Sequence, residues 1–332
     1  MKIITLEEHL ADERIVEMNN AYRPKVELTE EQKFFMKMAY PGDKLFDFKN
    51  RIKFMDENKI DVQILSFTSP VSDFVPSEEA VKICRLANDI IKQRMDEYPN
   101  RFGGFATLPM SNPLEAAKEL ERCVKELGFS GALLAGRYKG RFYNEKEFFP
   151  IFEKAAELDV PIYLHPAFIP LEVQNAYYMS DEYSFIVGSE FSSAGYGWHV
   201  EVGIQLVRLI LSGIFDKLPN LKIISGHWGE TIPAFLERMD AIMNKNVTGL
   251  KKNISEYYKE NVYLTPSGIL SNDQLHYLVK LMGADHILYS IDYPYVDVDN
   301  PYDFLVNSGL SKEEIELIAY KNAEKILHLK HK

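Results

Sequence analysis

What most limits the fold open to this chain is a repeated pairing: a short apolar run, then a longer stretch with helical spacing. Eight runs occur, at residues 2–6, 61–67, 102–108, 130–136, 160–164, 221–225, 261–266 and 287–291. Runs with little polar alternation suit strands covered on both faces, and strands separated by helices pair in parallel. Helical patterns at 48–58, 77–98, 113–127, 145–158, 199–212, 233–244, 271–282 and 311–328 fill the intervals. Eight such units predict an α/β fold, a closed (β/α)8 or TIM barrel. The 332 residues suffice for one large barrel. No linker, charge block or internal repeat divides them, so 1–332 is expected to be a single domain.

Two stretches stand outside the pattern and read as inserted loops. Residues 18–47 are polar, aromatic and poorly periodic, with a short helix expected at 29–38, where Thr29 and Gln32 fit a capping box. Residues 166–198 form a long insert rich in Tyr, Ser and Phe. Loops of this length in compact domains usually carry function.

Barrels of this kind place reacting side chains at the C-terminal ends of their strands. The first run leads into Glu7-Glu8-His9, and alternation along a strand puts Glu7 and His9 on one side with Glu8 on the other. The fifth run ends at His165, the sixth passes through Gly226 to His227, and the eighth delivers Asp292. Imidazoles and carboxylates converging from four strands suit zinc or manganese, with positions left for water or substrate. Lys139 lies beyond the end of the fourth run, so no lysine is placed to bridge two metals and a single ion is expected. Structural roles are expected for His276 and His286, a capping or packing role for His199, and solvent exposure for His328 and His331. Arg238, on the helix after His227, suits bidentate capture of a carboxylate, and Arg51, before the second run, is the other arginine of interest.

Composition excludes several partners. The net charge is −11 and no basic block is present, which argues against nucleic acid. No apolar stretch reaches the roughly 18 residues that suggest a membrane span. The N-terminus is too short and acidic for a signal peptide, so a soluble cytoplasmic protein is expected. Cys84 and Cys123 fit no metal or redox spacing and read as buried, incidental thiols.

Several stretches together resemble the amidohydrolase superfamily, in the branch that contains decarboxylases. They are Leu6-Glu-Glu-His9, Arg51-Ile-Lys-Phe-Met-Asp56 with Ile60-Asp-Val-Gln-Ile-Leu-Ser66, Arg101-Phe-Gly-Gly-Phe-Ala-Thr-Leu-Pro109, Leu164-His-Pro166, Gly226-His-Trp-Gly-Glu230, Ser290-Ile-Asp-Tyr-Pro-Tyr295 and Asn322-Ala323. That branch includes γ-resorcylate, 2,3-dihydroxybenzoate, 5-carboxyvanillate and aminocarboxymuconate semialdehyde decarboxylases. Several members begin with His-x-His; Glu7-x-His9 and Asp292-Tyr-Pro-Tyr295 are closer to the aromatic-acid decarboxylases. The resemblance implies that Glu7, His9, His165 and Asp292 hold one divalent metal, zinc or manganese. It makes His227 the acid-base or substrate-orienting residue, with Arg238, Arg51 and Tyr295 toward the substrate. The implied reaction is non-oxidative decarboxylation of a hydroxylated, dihydroxybenzoate-like aromatic acid, with Asp292 or His227 protonating the ring carbon that bears the carboxylate. Hydrolysis of a lactone or amide by a metal-bound hydroxide is the alternative, and a catalytically silent binding barrel is a third reading. Relatives of this type are dimers or tetramers, so a homo-oligomer is expected.

Overall fold

The computed structural model describes residues 1–67 and 74–329; His331 lies outside them. Among the described residues there are seven parallel strands: β1 Ile4–Leu10, β2 Val62–Phe67, β3 Phe102–Gly104, β4 Ala132–Ala135, β5 Ile162–His165, β6 Ile223–Ser225 and β7 Val262–Leu264. They fall into two sheets, β1-β2-β3 and β4-β5-β6-β7. Isolated parallel bridges join the sheets at both seams, Ala106 to Ala132 on one side, and Leu264 to Ile287 with Leu6 to Ser290 on the other.

The eighth expected strand is therefore not a continuous one. Ile287 and Ser290 make single bridges, and the amides beyond them turn to a side chain. Ile291 N donates to Glu8 Oε1 at 3.2 Å and Tyr293 N to Glu8 Oε2 at 3.3 Å. A carboxylate takes the donors that a ladder would otherwise use.

Two buried clusters follow from the ring. Ile4, Leu6, Ile64, Leu133, Tyr163, Ile224 and Leu288 point inward, with Ala323 and Ile326 of the final helix, and Leu327 just after it, packed among them. That helix, Asn322–Ile326, closes the floor. Asn322 Nδ2 donates to the carbonyls of Ala284 (2.8 Å) and Ile287 (2.7 Å), and Lys2 Nζ meets Glu324 Oε1 at 2.7 Å. Residues of opposite parity, such as Ile3 and Leu65, join the larger cluster between strands and helices.

The strand ends opposite the floor carry the polar residues. β1 bulges there, because Thr5 pairs with Gln63 and Glu8 already pairs with Leu65. Glu7 takes φ 64°. This extra residue lets Leu6 and Glu7 both face inward, after which His9 is inward and Glu8 outward.

Most expected helices form close to their expected bounds. Thr29 caps Glu30–Ala39 in a full capping box, and that helix packs against Phe185–Ser192 of the long insert. The two stretches outside the barrel pattern thus meet. The helices Glu13–Asn20 and Ile254–Asn261 were not expected.

Candidate active site

Glu7 is the centre of the site. Its side chain is buried, and its Oε2 accepts from the hydroxyls of Tyr163 and Ser267. Thr265 Oγ1 lies 2.8 Å from the Tyr163 hydroxyl. Gly226 makes room for this cradle. A Cβ there would sit 2.7 Å from Ser267 Oγ, 3.0 Å from the Tyr163 hydroxyl and 3.2 Å from Glu7 Oε2. Glu7 Oε1, by contrast, has no hydrogen-bond partner among the described residues. It faces His165 Nε2 at 3.5 Å and His227 Nε2 at 4.0 Å. Burial holds the Glu7 carboxyl above its ordinary range, although His227 and His9 oppose this.

The histidines are turned toward the same space. His165 Nδ1 lies 2.6 Å from the Pro166 carbonyl, which can only accept, so Nδ1 carries the proton and Nε2 the lone pair. Burial, with His9 and His227 nearby, holds His165 well below the usual imidazole pKa, in its neutral form. His9 Nδ1 lies 3.1 Å from Ser66 Oγ, and its buried Nε2 has no hydrogen-bond partner among the described residues. Asp292 Oδ1 is 3.3 Å from that Nε2. Donor atoms of Glu7, His9 and His165 all lie within 4.8 Å of one another.

An orphaned carboxylate oxygen, an orphaned imidazole nitrogen and a neutral imidazole turned inward fit a divalent cation. Buried polar atoms are rarely left unpaired, and an ion with nitrogen and oxygen preference satisfies all three. The hydrogen bonds behind Glu7, His9 and His165 are the outer partners that orient such ligands. Asp292 stands beside them through His9.

Sequence reasoning did not find Glu230. The turn after β6 runs left-handed through His227, Trp228, Gly229, Glu230 and Thr231, all at positive φ. Non-glycine residues in that region cost roughly 1–3 kcal/mol each and persist only where the surroundings enforce them. Here Trp228 donates from its backbone to Thr265 O (2.8 Å) and from its indole to Ile269 O (2.6 Å). The turn buries Glu230 between two imidazoles: Oε1 is 2.7 Å from His227 Nδ1, and Oε2 is 2.8 Å from His199 Nδ1. The packing role expected of His199 is thus corrected, since its ring lies 4.5 Å from that of His227. Gly203 permits the approach, because a Cβ there would lie 2.7 Å from Glu230 O. His199, His227 and Glu230 form a second close group of metal-capable atoms. Three of their four ring nitrogens are already taken, both Nδ1 atoms by Glu230 and His199 Nε2 by Ala194 O at 2.9 Å, while His227 Nε2 is left facing Glu7. This group is a hydrogen-bonded cluster that turns one imidazole nitrogen to the site. Burial would lower the His227 pKa, but Glu230 and Glu7 outweigh it and push it up to about 10.

The three substrate-facing candidates separate. Tyr295 is 42% exposed, with its ring 5.6 Å from that of His9. Arg238 is exposed on the helix Leu236–Ile242, with no ion pair to the site among the described residues. Arg51 corrects the sequence expectation. It is fully buried, donating through Nη1 to Gln63 Oε1 (3.1 Å) and through Nη2 to the His9 carbonyl. Its guanidinium lies 5.2 Å from the Phe48 ring and 4.5 Å from the Tyr293 ring. It is sealed from solvent, with Nε left without a hydrogen-bond partner among the described residues, and burial lowers its pKa to about 10.

A model of the amidohydrolase family matches residues 41–329. The chain belongs to that family. The γ-resorcylate decarboxylase of Polaromonas sp. (strain JS666) is 35% identical over 98% of this chain and 98% of its own. Among solved structures, an amidohydrolase from Staphylococcus aureus has a TM-score of 0.88 at 41% identity, covering 99% of this chain and 100% of its own. A dihydroxybenzoic acid decarboxylase from Polaromonas sp. JS666, solved with manganese and the inhibitor 2-nitroresorcinol, has a TM-score of 0.84 at 33% identity, covering 100% and 98%. These likenesses favour the barrel architecture and the decarboxylase reading over the hydrolase one.

Proposed function

We propose that this amidohydrolase-family chain is a divalent-metal-dependent, non-oxidative decarboxylase of a hydroxylated aromatic acid. The observation that carries the reading is the pair of buried orphan atoms, Glu7 Oε1 and His9 Nε2, in a family with aromatic-acid decarboxylases among its members. Glu7, His9, His165 and Asp292 would hold the ion, and manganese is favoured by its presence in the dihydroxybenzoic acid decarboxylase. When bound, the ion supplies positive charge that favours an ionised ring hydroxyl and anchors the substrate.

The chain's own residues account for the rest. Decarboxylation needs a proton delivered to the ring carbon that bears the carboxylate; the carbon–carbon bond then breaks, its electrons return to the ring, and carbon dioxide leaves. Asp292 and His227 flank the site from β1's far neighbour and from the β6 turn, and either can carry that proton. Glu230 fixes the ring of His227 through Nδ1 and favours its protonated form. Tyr295 lies at the open side, where an aromatic substrate meets it. Arg238 is retained as a carboxylate-binding candidate on its exposure; an unchanged Michaelis constant in Arg238→Ala removes it from that role.

A homo-oligomer is part of the proposal. Ile204 (44%), Phe235 (57%) and Ile242 (57%) stay exposed on neighbouring helices, an apolar surface suited to a second copy. The cytoplasmic location rests on the sequence; no helix among the described residues is long and apolar enough to cross a membrane.

The deciding experiment is a panel of hydroxybenzoates assayed with added manganese for carbon dioxide release. Release from at least one member is expected, with loss of turnover in Asp292→Asn. No release from any of them, alongside hydrolysis of a lactone or amide, would replace this reading.

A further inference from the structure

Glu8 is the one residue of the Glu7-Glu8-His9 stretch with no assigned role, yet it is as buried as its neighbours, at 0% exposure. A carboxylate kept from water needs several donors, and this one has a particular set. Oε1 accepts from Ile291 N at 3.2 Å, and Oε2 accepts from Tyr293 N at 3.3 Å and from Gln63 Nε2 at 3.1 Å. The two backbone donors belong to the residues immediately before and after Asp292. Asp292 itself sits at φ 56°, a conformation that an aspartate adopts at a cost and that surrounding contacts must enforce.

The network continues back to β1. Gln63 Oε1 accepts from Arg51 Nη1 at 3.1 Å, and Arg51 Nη2 donates to the carbonyl of His9. His9 N in turn donates to Tyr293 O at 2.7 Å. One strand therefore supplies Glu7 and His9 on its inner face and, with Glu8 on its outer face, grips the segment that carries Asp292. The bulge at Glu7 sets this division of labour, because it turns Glu7 and His9 inward and leaves Glu8 on the outer face.

We propose that Glu8 is a positioning residue for Asp292: its carboxylate spans the amides on either side of Asp292 and, through Gln63 and Arg51, sets that aspartate relative to Glu7 and His9. The inference deepens the decarboxylase reading and rests on Asp292 serving at the site. An amide cannot reproduce the grip, since Glu8→Gln places an NH2 group against one of two N–H donors.

The test compares wild type with Glu8→Gln, well below either melting temperature. Mn2+ binding is measured by calorimetry on metal-free protein, and turnover is measured on the metal-loaded form. Glu8→Gln is expected to weaken Mn2+ binding and to lower kcat, each by about 10-fold or more, with the Michaelis constant within about threefold. A purely structural role would lower the melting temperature and leave the Mn2+ dissociation constant and kcat unchanged; that result overturns the proposal. Hydrogen exchange on the wild-type protein gives an arm that needs no variant to fold. The amides of Ile291 and Tyr293 should exchange at least about 100-fold more slowly than those of the exposed residues 297 and 299, and equal rates would refute the grip. Because Mn2+ binding and exchange need no substrate, they still read Glu8 if no aromatic acid is decarboxylated.

Discussion

Glu7 and Glu119 are both buried carboxylates, and they differ in how their oxygens are used. Glu119, on the helix Pro113–Arg122, is surrounded by donors. Arg122 reaches Oε1 at 2.7 Å and Oε2 at 2.9 Å, Asn88 reaches Oε1 at 2.8 Å, and Arg85 reaches Oε2 at 3.2 Å. Burial alone would raise its pKa, but Arg122 and Asn88 outweigh it and hold the carboxyl below its usual range. Asn88 also pairs with Thr107 N (2.8 Å) and Thr107 O (3.0 Å), so the network ties a helix pair to the chain beyond β3. At Glu7 one oxygen is equally well held, while the other is orphaned and burial dominates. A closed carboxylate network stabilises the fold. An open one, faced by imidazole nitrogens, leaves a place for a cation.

The sharpest way to break this comparison is to neutralise each acid in turn. Glu7→Gln should reduce metal affinity and turnover by more than the roughly 10–100-fold that outer partners of metal ligands are worth. Its metal-free form should nevertheless be as stable as wild type at pH 7, or more so. The sign follows from linkage: an acid whose folded pKa is raised loses stability as pH rises, so removing its ionisation removes that penalty. A clear drop in the metal-free melting temperature would show that Glu7 is a closed structural acid after all. Next in size, Tyr163→Phe should cost about 10–100-fold in Mn2+ affinity by removing one donor from Oε2, and calorimetric titration reads this directly.

Glu119→Gln should do the opposite of Glu7→Gln. A loss of about 1.5–3 kcal/mol is expected at pH 7, with kcat within about twofold of wild type. Because the folded pKa of Glu119 is lowered, its contribution is fully present above the ordinary carboxylate range and disappears as pH falls through the lowered value. Denaturant melts of the two proteins should therefore converge in acid; a gap that persists there would assign the loss to packing. The smallest effect is expected of Ser66→Ala, about threefold in Mn2+ affinity, since Ser66 helps to orient the His9 ring through Nδ1, on the side away from Nε2. No change would mean that the imidazole is fixed by Asp292 alone.

The barrel was largely legible in the chain because strand ends and helix starts carry local signals. Five candidate site residues were legible for the same reason: Glu7, His9, His165, His227 and Asp292 each stand within a few positions of an apolar run. What escaped was set by distant contacts. Glu230 stood between the sixth run and the helix expected at 233–244, and nothing local says that a run of left-handed residues will bury it between His199 and His227. Tyr163 read as one more apolar strand residue, although its hydroxyl is a partner of Glu7. Arg51 was misjudged because a guanidinium near a site is ordinarily a ligand contact, and only the packing of Phe48 and Tyr293 around it reveals the sealed position. The helix Ile254–Asn261 was missed although Asn253 and Glu256 form a capping box, a signal present in the chain and overlooked. The side that Glu7 faces was expected correctly, yet the inward pattern of Ile4 and Leu6 alone would have turned Glu8 inward; the bulge reverses it.

The seam between β1 and residues 287–293 has a consequence for synthesis. Glu8 and Ile291, which bond across it, are separated by 283 positions, and the floor waits for the helix Asn322–Ile326. As the ribosome extends the chain, β1 can find β2 early but has an unpaired edge until residues 287–293 have been made. An open edge is a template for association with other chains. Newly made protein should therefore depend on chaperones until that seam forms, and removing the helix Asn322–Ile326 should harm yield far more than it harms the chemistry of any molecules that do fold.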